Sequence, residues 1–259
     1  MKIALVQFSP VWQEKQKNID LLTQKLENID QTVDLVILPE MFTTGFTMSP
    51  QEVYDTPDGI TLSWMQKMAE KHQFAITGSV VIKEDNRYFN RLYFVLPNGD
   101  YYTYDKRHLF TLAGEDKVYD AGINKLTVIY KDWKIRPLIC YDLRFPVYSR
   151  VVEEDYELLI YVASWPDQRI YAWDTLLKAR AIENMCFVAA VNRSGTDPAE
   201  NKYSGHSQML DYMGQYLQQP VIGDKIEIIE LSKEGLKKAR EKLAFLNDAD
   251  HFLTLLTNK

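Results

Sequence analysis

Apolar positions recur along the first third of the chain with the two periods that distinguish strands from helices. Short apolar runs over residues 3–8 and 33–39 have the length of buried strands, and the second is apolar enough to be buried on both faces. Between them, one face of a helix is predicted by apolar residues three or four positions apart, namely Ile19, Leu22, Leu26 and Ile29. The same spacing over 62–69 precedes a strand pattern over 74–82. This order of elements predicts parallel strands with helical cover.

Hairpin signals are typical of the rest of the chain. Strand patterns over 91–96 and 101–104 flank the tight-turn sequence Pro97-Asn98-Gly99-Asp100. Further strands are predicted over 125–130, 133–140, 158–163, 186–192, 206–217 and 226–231, with helices over 173–184 and 233–243. Parallel units joined to antiparallel pairs predict mixed sheets. About ten strands and few helices favour an α/β fold in which two stacked sheets carry helices outside.

Composition and charge are those of an ordinary globular protein. The 259 residues are 46% hydrophobic and 25% charged, and no linker divides them. We therefore expect a single domain over 1–259, with a C-terminal helix and tail over 233–259. The 30 Lys and Arg residues against 36 Asp and Glu give a net charge of -6 without a basic cluster. Nucleic acid is not an expected partner.

Membrane and disulfide signals do not occur in the sequence. The N-terminus enters a strand pattern directly, and no apolar stretch approaches the roughly 20 residues that cross a bilayer. Only two cysteines are present, Cys140 and Cys186, and they form no disulfide framework. These features predict a cytoplasmic protein with no membrane partner. Cys186 falls within a buried strand pattern and is predicted to be a core residue.

The stretch over residues 138–146 carries the strongest chemical pattern. Its apolar start ends on Cys140, and the following residues turn the chain into a predicted helix, so the thiol is expected at a strand-to-helix elbow. Free backbone N–H groups and the positive end of a helix would favour the thiolate there. Free cysteine is also among the most buried residue types, so these nine residues leave a plain core role open.

Two other chemically useful residues share the placement of Cys140 directly after an apolar strand. Glu40 and Lys106 follow predicted strands, and strands of one sheet can bring such ends together. A thiol needs a base, which a partly buried Glu40 carboxylate would supply. Attack on an amide carbonyl builds negative charge on oxygen, which the Lys106 ammonium and the Tyr141 backbone N–H would stabilise.

Three motifs resemble those of the nitrilase or carbon-nitrogen hydrolase superfamily. They occur in the family's order over residues 38–42, 104–110 and 140–146, with further matches over 179–184 and 192–195. The resemblance implies a four-layer αββα sandwich with two stacked mixed sheets, a catalytic triad, no metal or other cofactor, and a homodimer. The implied triad is Glu40, Lys106 and Cys140. Glu115 matches a second family glutamate that positions substrate or manages protons, although a solvated loop charge is the alternative.

Within the superfamily the chain is most similar to the omega-amidases, over residues 40–46, 164–166 and 203–207. That branch uses water to hydrolyse the distal amide of small keto-acid amides, such as 2-oxoglutaramate and 2-oxosuccinamate, to the dicarboxylate and ammonia. The expected route passes through a cysteine thioester. The implied small pocket is shaped by Phe42, Phe46 and Trp165. A guanidinium suits the substrate carboxylate, and three arginines are candidates for it: Arg144, Arg169 and Arg193.

Other functions remain open at this point. The nearest is another branch of the superfamily, such as an N-carbamoyl amino acid hydrolase or a nitrilase. A non-catalytic binding protein on the same fold is the alternative from a different class, and the intact triad argues against it. His108 and His206 raise a cysteine–histidine mechanism, but nothing in the sequence positions either ring beside the thiol. Four scattered histidines without ligand spacing argue against zinc.

Overall fold

Two six-stranded sheets organise the computed structural model, which describes residues 1–29, 33–152 and 155–249. In spatial order the first sheet contains β14 (Lys225–Glu230), β1 (Lys2–Gln7), β2 (Leu35–Ile37), β3 (Ala75–Glu84), β4 (Arg87–Val95) and β5 (Tyr101–Asp105). The second contains β13 (Tyr216–Ile222), β12 (Gly205–Leu210), β9 (Phe187–Asn192), β8 (Leu158–Ala163), β7 (Trp133–Ile139) and β6 (Val128–Tyr130). A separate ribbon pairs β10 (Gly195–Thr196) with β11 (Lys202–Tyr203).

Both sheets have the same plan, a parallel centre with antiparallel edges. Strands β1, β2 and β3 run parallel, and so do β7, β8 and β9. The outer strands of each sheet pair antiparallel with this centre or with each other. The prediction of mixed sheets is confirmed.

The strand period of two divides the side chains of β1 between two cores. Ile3 and Leu5 point into the core shared with the second sheet, whereas Ala4 and Val6 pack beneath helices α1 (Lys15–Glu27) and α3 (Ile60–His72). On the other side, α5 (Ile170–Asn184) covers the second sheet through its buried side chains, which include Trp173, Leu177 and Ala181. This layering confirms the predicted α/β sandwich. Burial of each large apolar side chain stabilises it by roughly 1.5–3 kcal/mol.

The last described helix, α6 (Lys233–Leu243), confirms the helix predicted over 233–243. Leu236 is buried, and the Arg240 guanidinium donates hydrogen bonds to the carbonyls of Met185 and Tyr156, each at 2.9 Å. Residues 250–259 of the predicted tail lie outside the described residues. The two remaining α-helices are the short α2 (Pro50–Val53) and α4 (Pro146–Ser149). Across the described ranges, no helix is long and apolar enough to span a bilayer.

The described residues contain fourteen strands, more than the pattern predicts. One cause is the segment 206–217, predicted as a single strand. It turns at residues 211–215, where Gly214 has a φ of 76°, and so contributes to both β12 and β13. Another is the turn at Asp85-Asn86, where both residues have positive φ and join β3 to a β4 that begins four residues earlier than predicted.

Candidate active site

Strand ends from both sheets bring the three candidate catalytic residues together. Glu40 follows β2 in the first sheet, Lys106 directly follows β5, and Cys140 directly follows β7 in the facing sheet. Glu40 and Lys106 are 0% exposed and Cys140 is 8% exposed. Lys106 Nζ donates a hydrogen bond of 2.8 Å to Glu40 Oε1. Both charges act on the Cys140 thiol, so the three groups form one electrostatic unit.

Glu115 is a fourth member of this buried cluster and not a solvated loop charge. Lys106 Nζ lies 3.0 and 2.9 Å from its two carboxylate oxygens, and the Phe110 N–H donates to Oε2 at 2.6 Å. Burial raises the pKa of Glu115, and the neighbouring Glu40 charge adds to this against the pull of Lys106. Burial alone would lower the pKa of Lys106, but the Glu115 and Glu40 carboxylates raise it well above its usual range. Lys106 is therefore a fixed ammonium.

Two further groups donate hydrogen bonds to Glu40, and the sequence predicted a site role for neither. Asn90 Nδ2 donates to Glu40 Oε1 at 2.8 Å and to Glu115 Oε1 at 3.3 Å. The Ser164 backbone N–H, just after β8, donates to Glu40 Oε2 at 2.8 Å. Asn90 stands between Phe89 and Arg91, which does not mark it as a buried polar residue, and the predicted strand began one residue after it. A backbone donor such as that of Ser164 leaves no signal in the sequence.

The chain turns at Cys140 as predicted, but the strand leads into a short 3-10 helix, so the dipole of a longer α-helix does not act on the thiol. Cys140 has a φ of 45°, in the left-handed region, and begins a 3-10 helix that ends at Arg144. Burial, followed by the Glu40 charge, raises the pKa of the Cys140 thiol well above its usual range, against the opposite effects of Lys106 and the Ser164 N–H. The expectation of a favoured thiolate is wrong, because a five-residue helix does not outweigh burial beside a carboxylate. The thiol needs a base.

Asp142 ties this elbow to the lysine segment. Its Oδ2 accepts hydrogen bonds from the Ile139 N–H at 3.0 Å and the Tyr104 hydroxyl at 2.7 Å. Its Oδ1 accepts one from the His108 N–H at 3.0 Å and lies 2.8 Å from His108 Nδ1. The His108 ring also stacks on Phe145 at 3.7 Å. Asp142 and Phe145 therefore hold the His108 ring in place, which argues against a cysteine–histidine mechanism.

A cavity of about 440 Å³ opens beside Cys140. Besides Cys140, five side chains in its wall belong to candidate site residues from the sequence: Tyr141, Arg144, Arg169, Phe46 and Trp165. The other lining residues include Trp12, Phe110 and Tyr203. Aromatic rings and two guanidinium groups thus surround the entrance to the thiol. A small, flat, negatively charged molecule fits these walls.

The carbon-nitrogen hydrolase family model matches residues 2–240. The chain belongs to the carbon-nitrogen hydrolase family. It is 41% identical to the omega-amidase YafV of Yersinia enterocolitica, covering 98% of this chain and 99% of that one. It is 32% identical to a 2-oxoglutaramate amidase of Bacillus subtilis, covering 95% and 96%. The XC1258 structure from Xanthomonas campestris, a CN-hydrolase superfamily protein with an arsenic adduct in its active site, has 40% identity and a TM-score of 0.95, covering 97% and 98%.

Phe42 does not line the cavity, so its predicted pocket role in this hydrolase is wrong. The backbone at Met41 has a φ of 45° and turns Phe42 beneath the first sheet, where its N–H donates to the Ser79 carbonyl at 3.1 Å. The Phe42 ring is fully buried and packs 5.9 Å from the Trp64 ring. Gly78 leaves the space for it, since a Cβ there would lie 2.9 Å from the ring.

The structure separates the three candidate arginines. The Arg144 guanidinium lies 5.0 Å from the Trp165 ring centroid, and that of Arg169 lies 5.2 Å from the centroid of Phe110. Both residues line the cavity, and neither guanidinium group forms a hydrogen bond or ion pair with another described residue. Arg193 is buried away from the lining and donates to the Ser194 carbonyl at 3.1 Å. Arg144 and Arg169 are therefore the groups available to a ligand.

Metal binding has no candidate side-chain group here. Over residues 1–29, 33–152 and 155–249, no three His, Cys, Asp or Glu side chains are arranged to hold a metal ion. Cys186, the other free cysteine, is fully buried outside the cavity lining.

Replacing the buried carboxylate of Asp142 should destabilise the protein strongly. In the wild type the Asp142 carboxylate accepts hydrogen bonds from several donors, and in Asp142→Asn an amide N–H₂ would face some of these donors. We therefore expect a loss of roughly 3 kcal/mol in the free energy of unfolding and a fall in kcat. Asp174→Asn is the matched control, because Asp174 also pairs with a histidine, His206, at 2.9 Å but is a quarter exposed. It should lose at most about 1 kcal/mol. Equal losses in denaturant titrations would contradict the role of Asp142.

Proposed function

We propose that this hydrolase is an omega-amidase, which releases ammonia from the distal amide of small keto-acid amides such as 2-oxoglutaramate and 2-oxosuccinamate. The observation that carries the proposal is the buried cluster of Glu40, Lys106, Glu115 and Cys140 at a cavity with two unpaired guanidinium groups. A thiol with its own base is suited to amide chemistry, and the guanidinium groups are suited to a substrate carboxylate. The names of the two relatives agree with this substrate class.

In the first step, Glu40 accepts the proton of the Cys140 thiol, and the sulfur attacks the amide carbon. The carbonyl π electrons move to oxygen. Lys106 and the Tyr141 backbone N–H, at the start of the 3-10 helix where N–H groups have no intrahelical acceptor, stabilise that oxyanion. The Lys106 ammonium contacts three carboxylate oxygens in the free enzyme. One donor of its bidentate contact with Glu115 can turn to the oxyanion while the other is retained.

In the second half of the reaction the same groups act in reverse. Glu40 returns its proton to the leaving nitrogen, ammonia departs, and the oxyanion collapses to a thioester on Cys140. Water then attacks the thioester carbon as Glu40 takes its proton, and the Cys140 sulfur leaves as a thiol when that proton is returned. The Glu115 carboxylate keeps the positive charge of Lys106 neutralised throughout, also while Glu40 carries the proton of the thiol. The scheme requires no cofactor.

Ammonia release is the first test. We expect 2-oxoglutaramate and 2-oxosuccinamate to be hydrolysed, and Cys140→Ala to abolish turnover while leaving the thermal midpoint near that of the wild type. Glutamine, asparagine, an N-carbamoyl amino acid and an aliphatic nitrile are the comparison substrates. Preference for the carbamoyl compound or the nitrile would assign another branch of the family. No turnover of any of these substrates would favour a binding protein.

Loss of a cavity guanidinium should weaken substrate binding. Arg144→Gln and Arg169→Gln each remove a potential partner of the carboxylate, so we expect KM to rise roughly 10- to 100-fold for keto-acid amides, with a smaller change in kcat. A neutral amide of similar length should be unaffected. Arg87→Gln is the matched control, because the Arg87 guanidinium also lies over a ring, that of Phe89 at 5.2 Å, but outside the cavity. An unchanged KM in both cavity variants would exclude arginine recognition of the carboxylate.

We further propose that the chain folds as one carbon-nitrogen hydrolase domain and assembles as a homodimer. Tyr171 and Ile182 support this, because they are 82% and 54% exposed and lie three turns apart on α5, on one face of the helix. Light scattering should give twice the monomer mass. Ile182→Glu should lower it, whereas Ile129→Glu, at an exposed position on β6, should not. A monomeric wild type would refute this assembly.

We also propose a cytoplasmic location. It is supported by two free, buried cysteines and by the net charge of -6. Recovery of the protein in the membrane or exported fraction of cells would contradict it.

A further inference from the structure

Asn90 contacts both carboxylates of the cluster from the middle of the first sheet. Its side chain is fully buried on β4, and its Nδ2 donates to Oε1 of Glu40 and to Oε1 of Glu115. The backbone carbonyl of Asn90 accepts a hydrogen bond from the backbone N–H of Lys106 at 3.0 Å. We propose that Asn90 is a positioning residue that occupies one oxygen of Glu40, so that the proton of Cys140 goes to the other oxygen.

The lone pairs of Glu40 identify the oxygen that acts as the base. Each carboxylate oxygen offers about two acceptor sites. Oε1 uses both, one for the Lys106 ammonium and one for Asn90, each at 2.8 Å. Among the described residues, one backbone N–H donates to Oε2, that of Ser164 at 2.8 Å, so Oε2 retains one acceptor site for the thiol, which also hydrogen-bonds the Glu40 carboxylate. This remaining site on Oε2 receives the thiol proton.

The orientation of the Asn90 amide is fixed by its neighbours. A flipped amide would place Oδ1 against two carboxylate oxygens, which repel it, so the N–H₂ group faces the cluster. Asn90 supplies a hydrogen-bond donor without adding charge. A second cation in its place would neutralise the base, and an apolar side chain would leave one site of Oε1 open to compete for the proton.

Four titratable groups surround Glu40: Lys106, Glu115, Cys140 and the Tyr119 hydroxyl, whose pKa is affected by the charges of Glu40, Lys106 and Glu115. The Ser164 N–H adds a dipole. The Asn90 donor stabilises the ionised carboxylates in this set. Removal of the donor makes the ionised form less favourable, so the acidic limb of a pH profile moves to higher pH.

The inference rests on the proposed thiol chemistry, so the test uses two readouts. One is kcat/KM for 2-oxoglutaramate against pH. The other is the rate at which iodoacetamide alkylates Cys140 against pH, which needs no substrate. In Asn90→Ala we expect kcat/KM to fall roughly 10- to 100-fold with little change in KM, because Asn90 does not line the cavity. The acidic limb of both profiles should move to higher pH.

The Asn90→Asp variant tests whether Asn90 acts as a hydrogen-bond donor or only fills space. The variant has the same size but replaces the N–H₂ donor with a third carboxyl group beside two carboxylates, so at neutral pH it should lose more activity than Asn90→Ala. A packing role predicts the reverse order. Asn184→Ala is the control for loss of a buried asparagine, because the Asn184 side chain bonds Arg150, the Val151 N–H and the Arg180 carbonyl, which lie outside the ion cluster. It should lower stability without moving either limb.

The proposal would be overturned if the acidic limbs of the pH profiles were unchanged in both Asn90 variants. It would also be overturned if Asn90→Asp were more active than Asn90→Ala. If Asn90→Ala does not fold, the isosteric Asn90→Asp still decides through its pH profiles. Absence of turnover in the wild type would refute the amidase function alone, since the alkylation profiles would still report on Asn90.

Discussion

The ammonium of Lys106, buried between two carboxylates, is the interaction on which the site depends. Each of these ions alone would lose several kcal/mol on leaving water, and their mutual attraction offsets this only when all of them are in place and hydrogen-bonded. Lys106 contacts Glu40 and Glu115 within 3.0 Å, and none of the three is exposed. The fold meets this requirement because the ends of β2 and β5 and the loop after β5 converge at one edge of the sandwich.

The cluster also explains why the nucleophile is held as a thiol. Burial and the nearby Glu40 charge raise the pKa of Cys140, so the sulfur is protected from ionisation until its proton can move to a carboxylate already in place. A positive φ at Cys140 fixes the sulfur at the end of β7, and Asp142 holds that elbow to the segment that carries Lys106. Reactivity therefore depends on geometry more than on a permanently ionised sulfur.

The sequence predicts those features that follow from strand ends. Glu40 and Cys140 follow buried apolar strands, and Lys106 follows the mostly exposed β5. Their shared placement after a strand end allowed their convergence to be expected from the sequence. Phe42 could not be placed in this way, because the left-handed turn at Met41 reverses the side to which it points. The state of the Cys140 thiol was mispredicted for a related reason. Local helix dipoles are visible in sequence, whereas burial and distant charges depend on the assembled sheets.

One cavity is lined by both the Cys140 thiol and two guanidinium groups, those of Arg144 and Arg169. The ions around the thiol are already balanced in charge, whereas Arg144 and Arg169 rest on aromatic rings with no acidic partner among the described residues. Stacking holds a guanidinium in place without occupying its N–H donors, so the substrate carboxylate can supply the missing acceptor. Under the proposed function, these arginines would receive the anionic end of the amide, while Glu40, Lys106 and Glu115 already balance the charges around the thiol.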